Sequence, residues 1–281
     1  MRVTVAKSGG FCVGVKRALR IARATARAGE PVCMLGDIVH NEDVVRDMAG
    51  LGVRKIRQLR PGKKRRSLLI RAHGVSRAVI EKAHRFGYDV VDATCPMVKD
   101  IHKIVVRMER AGYTIVVIGD RNHDEVQGIV GQLDGDAIVI DRPDRVPRKR
   151  LAGERRLAVV SQSTQNEENV SAILGRLWAQ AHEVRVFNTI CGPTHRKQAE
   201  GRRLPVENDV MIVIGSKTSA NTRRLFEIAK ALNERTYWVR SARELEPAWF
   251  EGACSVGVIS GASTPDATTQ AVIAWLRGNG K

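Results

Sequence analysis

The stretch Asp89-Val-Val-Asp-Ala-Thr-Cys-Pro-Met-Val98 decides how this chain reads, because a short apolar run stops abruptly in a small polar turn that carries Cys95. Two further cysteines stand in the same position relative to their surroundings. Cys12 follows Val3-Thr-Val5 and the pair Gly9-Gly10, and Cys191 closes Val184-Arg-Val-Phe-Asn-Thr-Ile190. Each third of the chain thus holds one thiol where an apolar run yields to a turn, and there is no local CxxC pair.

Outward from these turns the same alternation recurs. Apolar runs at Val32-Cys-Met-Leu35, Leu68-Leu-Ile70, Val90-Val91, Ile115-Val-Val-Ile118, Ala137-Ile-Val-Ile140, Leu157-Ala-Val-Val160, Val184-Arg-Val-Phe187, Val210-Met-Ile-Val-Ile214, Tyr237-Trp-Val239 and Val256-Gly-Val-Ile259 give way to small or polar residues. Helical spacing fills intervals between them, as over 13–28, 98–111, 170–181, 222–232 and 268–277. In the first of these, Val15, Leu19, Ala22 and Ala26 share one face while Arg17, Arg20, Arg23 and Arg27 lie mostly opposite. Near-continuous apolar strands alternating with helices predict an α/β fold of parallel sheets. Residues 143–156 read as a polar, basic, exposed connection.

With 281 residues and 43% hydrophobic content the chain can bury a real core, as one large or two to three small domains. The first thirty residues hold no uninterrupted apolar segment, and the longest apolar runs are strand-sized, so a soluble cytoplasmic protein with no membrane association is expected. Five cysteines, odd in number and far apart, do not read as a disulfide framework. Cys33 and Cys254 lie in apolar context and are expected in the core. The net charge of +17, dense at Lys63-Lys-Arg-Arg66 and Arg145-Val-Pro-Arg-Lys-Arg150, invites a nucleic-acid reading. Against it, aromatics are only 4% and no RNP, zinc-finger or helix-turn-helix signature is present, so no specific nucleic-acid partner is expected. A basic surface also speeds encounters with acidic proteins.

Parallel sheets bind ligands beyond the carboxyl ends of their strands. The residues that follow the runs are Cys12, His40-Asn41, His73-Gly74, Thr94-Cys95, His123-Asp-Glu125, Gln162-Ser-Thr164, Cys191, Ser216 to Asn221, and Gly261-Ala-Ser263. Three distant thiols brought together suit zinc or an iron-sulfur cluster; the bland alternative is scattered core thiols. Imidazoles, hydroxyls, amides and turn N–H groups suit a phosphate. Gly215-Ser-Lys-Thr-Ser219 is no P-loop, since position 210 is Val where that motif requires glycine. Glu125 reads either as a buried proton carrier or as a first-turn acid favoured by a helix dipole. His84, His102, His182 and His195 fall in helical or linker context and read as structural.

Phe11-Cys-Val-Gly-Val15, Val39-His-Asn41, Ala72-His-Gly-Val-Ser76, Asp92-Ala-Thr-Cys-Pro96, His123-Asp-Glu-Val-Gln-Gly128, Gln162-Ser-Thr164, Asn188-Thr-Ile-Cys191, Gly215-Ser-Lys-Thr-Ser-Ala-Asn-Thr222 and Ser260-Gly-Ala-Ser-Thr-Pro-Asp266 together resemble the 4-hydroxy-3-methylbut-2-enyl diphosphate reductases, the IspH/LytB family. The resemblance spans essentially the whole chain. It implies three pseudo-symmetric parallel α/β lobes around a central iron-sulfur cluster, with residues 13–95, 96–190, and 1–12 with 191–281 as the lobes. It implies one 4Fe-4S cluster per chain on Cys12, Cys95 and Cys191, and Glu125 as the catalytic proton relay. His40, His73, His123, Ser163, Thr164, Ser219, Asn221 and Ser263 match positions around the allylic diphosphate substrate, with Asn41 a nearby motif residue. The implied reaction is a two-electron, two-proton reductive dehydroxylation to isopentenyl and dimethylallyl diphosphates, the last step of the methylerythritol phosphate pathway, fed by a low-potential carrier such as ferredoxin or flavodoxin.

Several positions depart from the family pattern. The usual GHxxHPE string is Gly119-Asp-Arg-Asn-His-Asp-Glu125, so Asp120 replaces a histidine and Asp124 a proline. Pro193 stands in the string after Cys191, Ala220 removes a hydroxyl from the Ser-Ser-Asn string, and Ser163 replaces a threonine. A carboxylate at Asp124 is expected to raise the pKa of Glu125 or to repel diphosphate. Asp120, Asp124, Pro193 and Ala220 support a rival reading, a diverged paralogue using the same cluster on another allylic diphosphate or a different hydroxylated substrate. A basic nucleic-acid binder on the same scaffold is the second rival.

Overall fold

The computed structural model describes residues 1–62 and 66–279, so Lys63, Lys64 and Arg65 of the first basic run lie outside the described residues. The strands are β1 (Arg2–Val5), β2 (Val32–Leu35), β3 (Val53–Ile56), β4 (Arg66–Ile70), β5 (Tyr88–Asp92), β6 (Thr114–Ile118), β7 (Ala137–Ile140), β8 (Arg156–Ser161), β9 (Glu183–Val186), β10 (Val210–Ile214), β11 (Thr236–Val239) and β12 (Ser255–Ser260). The helices are α1 (Val13–Arg27), α2 (Glu42–Gly50), α3 (Arg77–Arg85), α4 (Pro96–Arg110), α5 (Asp124–Val130), α6 (Arg148–Leu151), α7 (Glu167–Leu177), α8 (Gly192–Glu207), α9 (Ala220–Leu232) and α10 (Asp266–Asn279).

Among the described residues the strands form three parallel four-stranded sheets of one topology: β3-β2-β4-β5, β7-β6-β8-β9 and β11-β10-β12-β1. The inner strands β4, β6, β8, β10 and β12 are almost wholly buried, which is why their sequences run apolar without alternation. Edge strands are weaker in sequence. β3 is Val53-Arg-Lys-Ile56, with its two basic residues in solvent, and apolar periodicity alone does not find it. Helices α4 and α5 cover one face of β6 and β8, while α6 and α7 cover the other. Val98, Ile101, Val105 and Met108 of α4 are buried at helical spacing, on the order of 6–12 kcal/mol of burial at about 1.5–3 kcal/mol per side chain.

The chain makes two compact units. One comprises Met1–Lys16, Val39–Arg46 and Gly192–Lys281 and carries β1, β10, β11 and β12. The other comprises Arg17–Ile38 and Asp47–Cys191 and carries the remaining two sheets. Within this second unit the loops after β4 and α5 are tied: Arg77 N donates to Gly131 O at 3.0 Å and Gln132 Nε2 to Val75 O at 2.8 Å. A Cβ on Gly131 would stand 2.2 Å from that of Ser76, so the approach needs a glycine there.

Cys33 is buried, as its context predicts, but Cys254 is exposed. Cys254 sits in the turn before β12, where its backbone accepts from Arg2 N and donates to Asp209, leaving the thiol outward. The 143–156 connection is mostly exposed, yet it includes the short helix α6, whose Leu151 is fully buried against the β6–β8 sheet. No helix among the described residues is long and apolar enough to cross a membrane.

Candidate active site

The shared strand order sorts the chemistry. In each sheet the reversal point lies between the two inner strands, where open α/β sheets take their ligands. The loops after the inner strands β2, β4, β6, β8, β10 and β12 carry His40, His73, His123 with Glu125, Ser163 with Thr164, Ser219 with Asn221, and Ser263. The loops after the fourth strands, β5, β9 and β1, carry Cys95, Cys191 and Cys12. Donors for an anion and thiols for a metal thus follow different strands of the same repeat.

Glu125, at the second position of α5, is only 2% exposed. Its carboxylate turns away from its own helix and accepts from Ser163 N at 2.6 Å and Ser163 Oγ at 2.9 Å. Burial raises its pKa above the ordinary range while these two hydrogen bonds pull it back. A carboxyl so placed holds a proton more readily than a solvated one. The first-turn reading describes its backbone position and not its side chain. His123 caps α5, its Nδ1 accepting from Glu125 N at 3.1 Å, which fixes the tautomer so that Nε2 carries the proton. Its ring meets His73 edge-on at 5.4 Å.

Asp124 does not act as expected on its neighbour. It occupies the first position of α5, where acids and proline are both favoured, and ion-pairs with Arg71 Nη1 at 2.6 Å. The extra carboxylate is matched by a cation from the loop after β4. Asp120 is a turn residue, its Oδ1 accepting from Asn122 N at 3.0 Å. Gln162 bridges Asp120 N and Thr164 Oγ1, so Thr164 is oriented from within its own loop.

Each of the three thiols directly precedes a helix. Cys95 caps α4 ahead of Pro96, with its N–H on Ala72 O at 2.9 Å. The N–H of Cys191 bonds Ser163 O at 3.0 Å, joining the thiol loop to the loop that holds Glu125. Cys12 Sγ accepts from Val15 N at 3.4 Å in the first turn of α1, and Cys12 N donates to Ala262 O. None of the three is in a disulfide, and all are partly exposed. Helix N-termini favour thiolates and anions, so each loop is electrically suited to a metal-bound sulfur. Pro193 stands in the first turn of α8, where the missing N–H has no partner to lose within the helix.

In the first unit Ser219 caps α9, its Oγ accepting from Thr222 N at 3.3 Å, and Ala220 takes the first helical position. Asn221 is buried with its Nδ2 bonded to no protein atom, as is Thr222 Oγ1. Such orphan donors at a helix N-terminus fit an anionic ligand. Ser263 Oγ donates to His40 O at 3.1 Å, and Asn41 Oδ1 accepts from Val44 N at the start of α2. Sequence reasoning missed Arg71, Glu42, which accepts from Ser216 Oγ at 2.8 Å, and Lys197, a fully buried lysine in α8. None of the three stands out locally; the buried face of α8 around Lys197 also holds Thr194 and Gln198.

A family model described as LytB protein matches residues 3–277. The chain is 41% identical over 265 residues to the 4-hydroxy-3-methylbut-2-enyl diphosphate reductase of Geotalea uraniireducens, covering 94% of this chain and 93% of that one. It is 41% identical over 268 residues to that of Aquifex aeolicus, covering 94% and 92%. A solved structure of (E)-4-hydroxy-3-methyl-but-2-enyl diphosphate reductase, described as the terminal enzyme of the non-mevalonate pathway, aligns with a TM-score of 0.71 at 38% identity over 99% of this chain and 100% of that one. The corresponding reductase structure from Plasmodium falciparum, at 24% identity and a TM-score of 0.88 over 98% of this chain and 87% of that one, shares the fold.

Proposed function

We propose, from the premise that this chain belongs to the LytB protein family, that it catalyses the reductive dehydroxylation of 4-hydroxy-3-methylbut-2-enyl diphosphate to isopentenyl and dimethylallyl diphosphates. Cys12, Cys95 and Cys191 would hold one 4Fe-4S cluster, a role supported by their partly exposed thiols, none in a disulfide, at three helix starts. When bound, such a cluster supplies electrons and an open iron that acts as a Lewis acid on the substrate hydroxyl. The rest falls to the side chains.

The observation that carries the reading is the buried carboxyl of Glu125 held by both donors of Ser163. Its raised pKa suits it to hold a proton and deliver it to the departing hydroxyl, which leaves as water. A second proton goes to the allylic fragment as two electrons enter. His123, with Nε2–H free of the capping bond, and His73 beside it would orient the substrate together with Thr164. His40, Ser219, Asn221 and Ser263 would hold the diphosphate, with the N-terminus of α9 adding its dipole. The lobe boundaries 13–95, 96–190, and 1–12 with 191–281 belong to the same proposal, as do a cytoplasmic setting and a ferredoxin or flavodoxin donor.

The test is anaerobic reconstitution with iron and sulfide, then turnover with dithionite and methyl viologen, with Glu125→Gln alongside. Release of both products by the wild type and near-complete loss in the variant supports the assignment. A cluster on the three cysteines with this substrate untouched would overturn the substrate and leave the cluster in place.

A further inference from the structure

Lys197 lies on the inward face of α8, 1% exposed, the largest of the fully buried side chains. A buried ammonium needs hydrogen bonds and countercharge. Its Nζ donates to Ser260 O at 2.9 Å and to Ser8 O. One helical turn on, Glu200 accepts from Lys7 N and Ser8 N, each at 2.8 Å, and from Ser8 Oγ. The turn between β1 and α1 is therefore gripped by two side chains of one helix, its carbonyl by a cation and its amides by an anion. The same loop is fastened at Gly10 N, which donates to Ser260 Oγ at 2.7 Å, and at Cys12 N on Ala262 O. Gly10, at φ +74, admits no side chain, because a Cβ would stand 2.3 Å from Asp266 Oδ1.

This grip is not needed for packing alone. A Leu or Met would fill the space without the cost of burying a charge. Burial holds the amine down to about 8, and its bond to Ser8 O puts the cation on the loop that carries Cys12 four residues further on, with the Glu200 carboxylate on the same serine.

We propose that Lys197 is a positioning residue for the metal centre, fixing the Cys12 loop through Ser8 and Ser260 and holding a buried positive charge on that loop. This rests on the reading of Cys12 as a cluster ligand. A fixed cation near an anionic redox group stabilises its reduced, more negative form, so removing the charge lowers the reduction potential and removing the countercharge raises it.

The test compares Lys197→Met, Lys197→Arg and Glu200→Gln after anaerobic reconstitution, reading iron and sulfide per chain and the midpoint potential. The expected result is a potential moved negative in Lys197→Met, returned toward wild type in Lys197→Arg, and moved positive in Glu200→Gln. Glu200 lies on the partly exposed side of the turn, so its variant keeps the test decisive should Lys197→Met fail to fold. Loosening of the loop alone would lower cluster content without driving the two potentials in opposite directions, and that outcome overturns the electrostatic role. Potentials unchanged in all three variants overturn the proposal. A wild type that assembles no cluster would instead refute the cluster reading itself, and this inference with it.

Discussion

The ion pair between Arg71 and Asp124 should make these two residues energetically inseparable. Their side chains are 13% and 25% exposed, too covered for a surface pair worth about 0–1 kcal/mol and too open for a buried one whose breakage costs about 3–5 kcal/mol. A coupling of roughly 1–3 kcal/mol follows, and at about 2–4 °C per kcal/mol for domains of this size it is large enough to read as a shift in melting temperature. Asp124→Asn and Arg71→Met each remove one charge of the pair, and the double variant removes both. Thermal unfolding of the four cluster-free proteins should show the double variant losing less than the two single losses together. Asp124→Pro also removes the ion pair and should lose stability much as Asp124→Asn does, because proline suits the first position of α5. Additive single losses would show that Asp124 is not neutralised by Arg71, and the carboxylate beside Glu125 would again count against a diphosphate site.

Glu125→Gln should lower turnover by about 10²–10⁴-fold as a general acid is lost, yet stabilise the fold at neutral pH. Burial raises the folded-state pKa of this carboxyl, so its stabilising contribution is complete below the unfolded carboxylate range and is lost as pH rises through the folded value. Urea denaturation of the cluster-free proteins should accordingly show the variant gaining on the wild type as pH rises above the unfolded carboxylate range, and a constant difference would refute it. Asn221→Ala should raise KM for the diphosphate substrate about 10–150-fold, from roughly 1.5–3 kcal/mol for a hydrogen bond to a charged group, with little change in melting temperature, because Nδ2 bonds no protein atom. Alanine at Cys12, Cys95 or Cys191 should abolish retention of a full cluster after reconstitution, while alanine at the exposed Cys254 should leave iron content unchanged.

What was legible in the chain beforehand was whatever leaves a local pattern. The inner strands announced themselves because both their faces are buried, and the turn residues after them because they break an apolar run. β3 escaped because only its end residues Val53 and Ile56 are covered, while arginine and lysine between them face solvent and break the apolar run. Cys254 misled because an apolar neighbourhood in sequence says nothing of a residue just outside the strand, where backbone bonds rather than packing decide direction. The character of Asp124 was misjudged because its partner lies in another lobe, and no local rule connects a residue after β4 with one that opens α5. Lys197 was missed for a related reason: its partners are backbone carbonyls, which carry no residue identity to search for. The roles at the site came from resemblance, since polar residues after strands are ordinary turn chemistry until a second lobe supplies the other half.

The pairing of β1 with β12, Arg2 opposite Ser255 and Val5 opposite Val258, has a consequence for how the molecule is made. β1 is made long before the strand it pairs with. At about 5–20 residues per second the two partners emerge roughly ten seconds to nearly a minute apart. Throughout that interval the leading segment, with Cys12 just behind it, has no sheet to join, whereas the two sheets between Val32 and Val186 can already close on themselves. The loop of Cys12 is therefore settled only after β12 has been made, and a nascent chain stalled before that strand would present two finished sheets and a leading segment still without its partner.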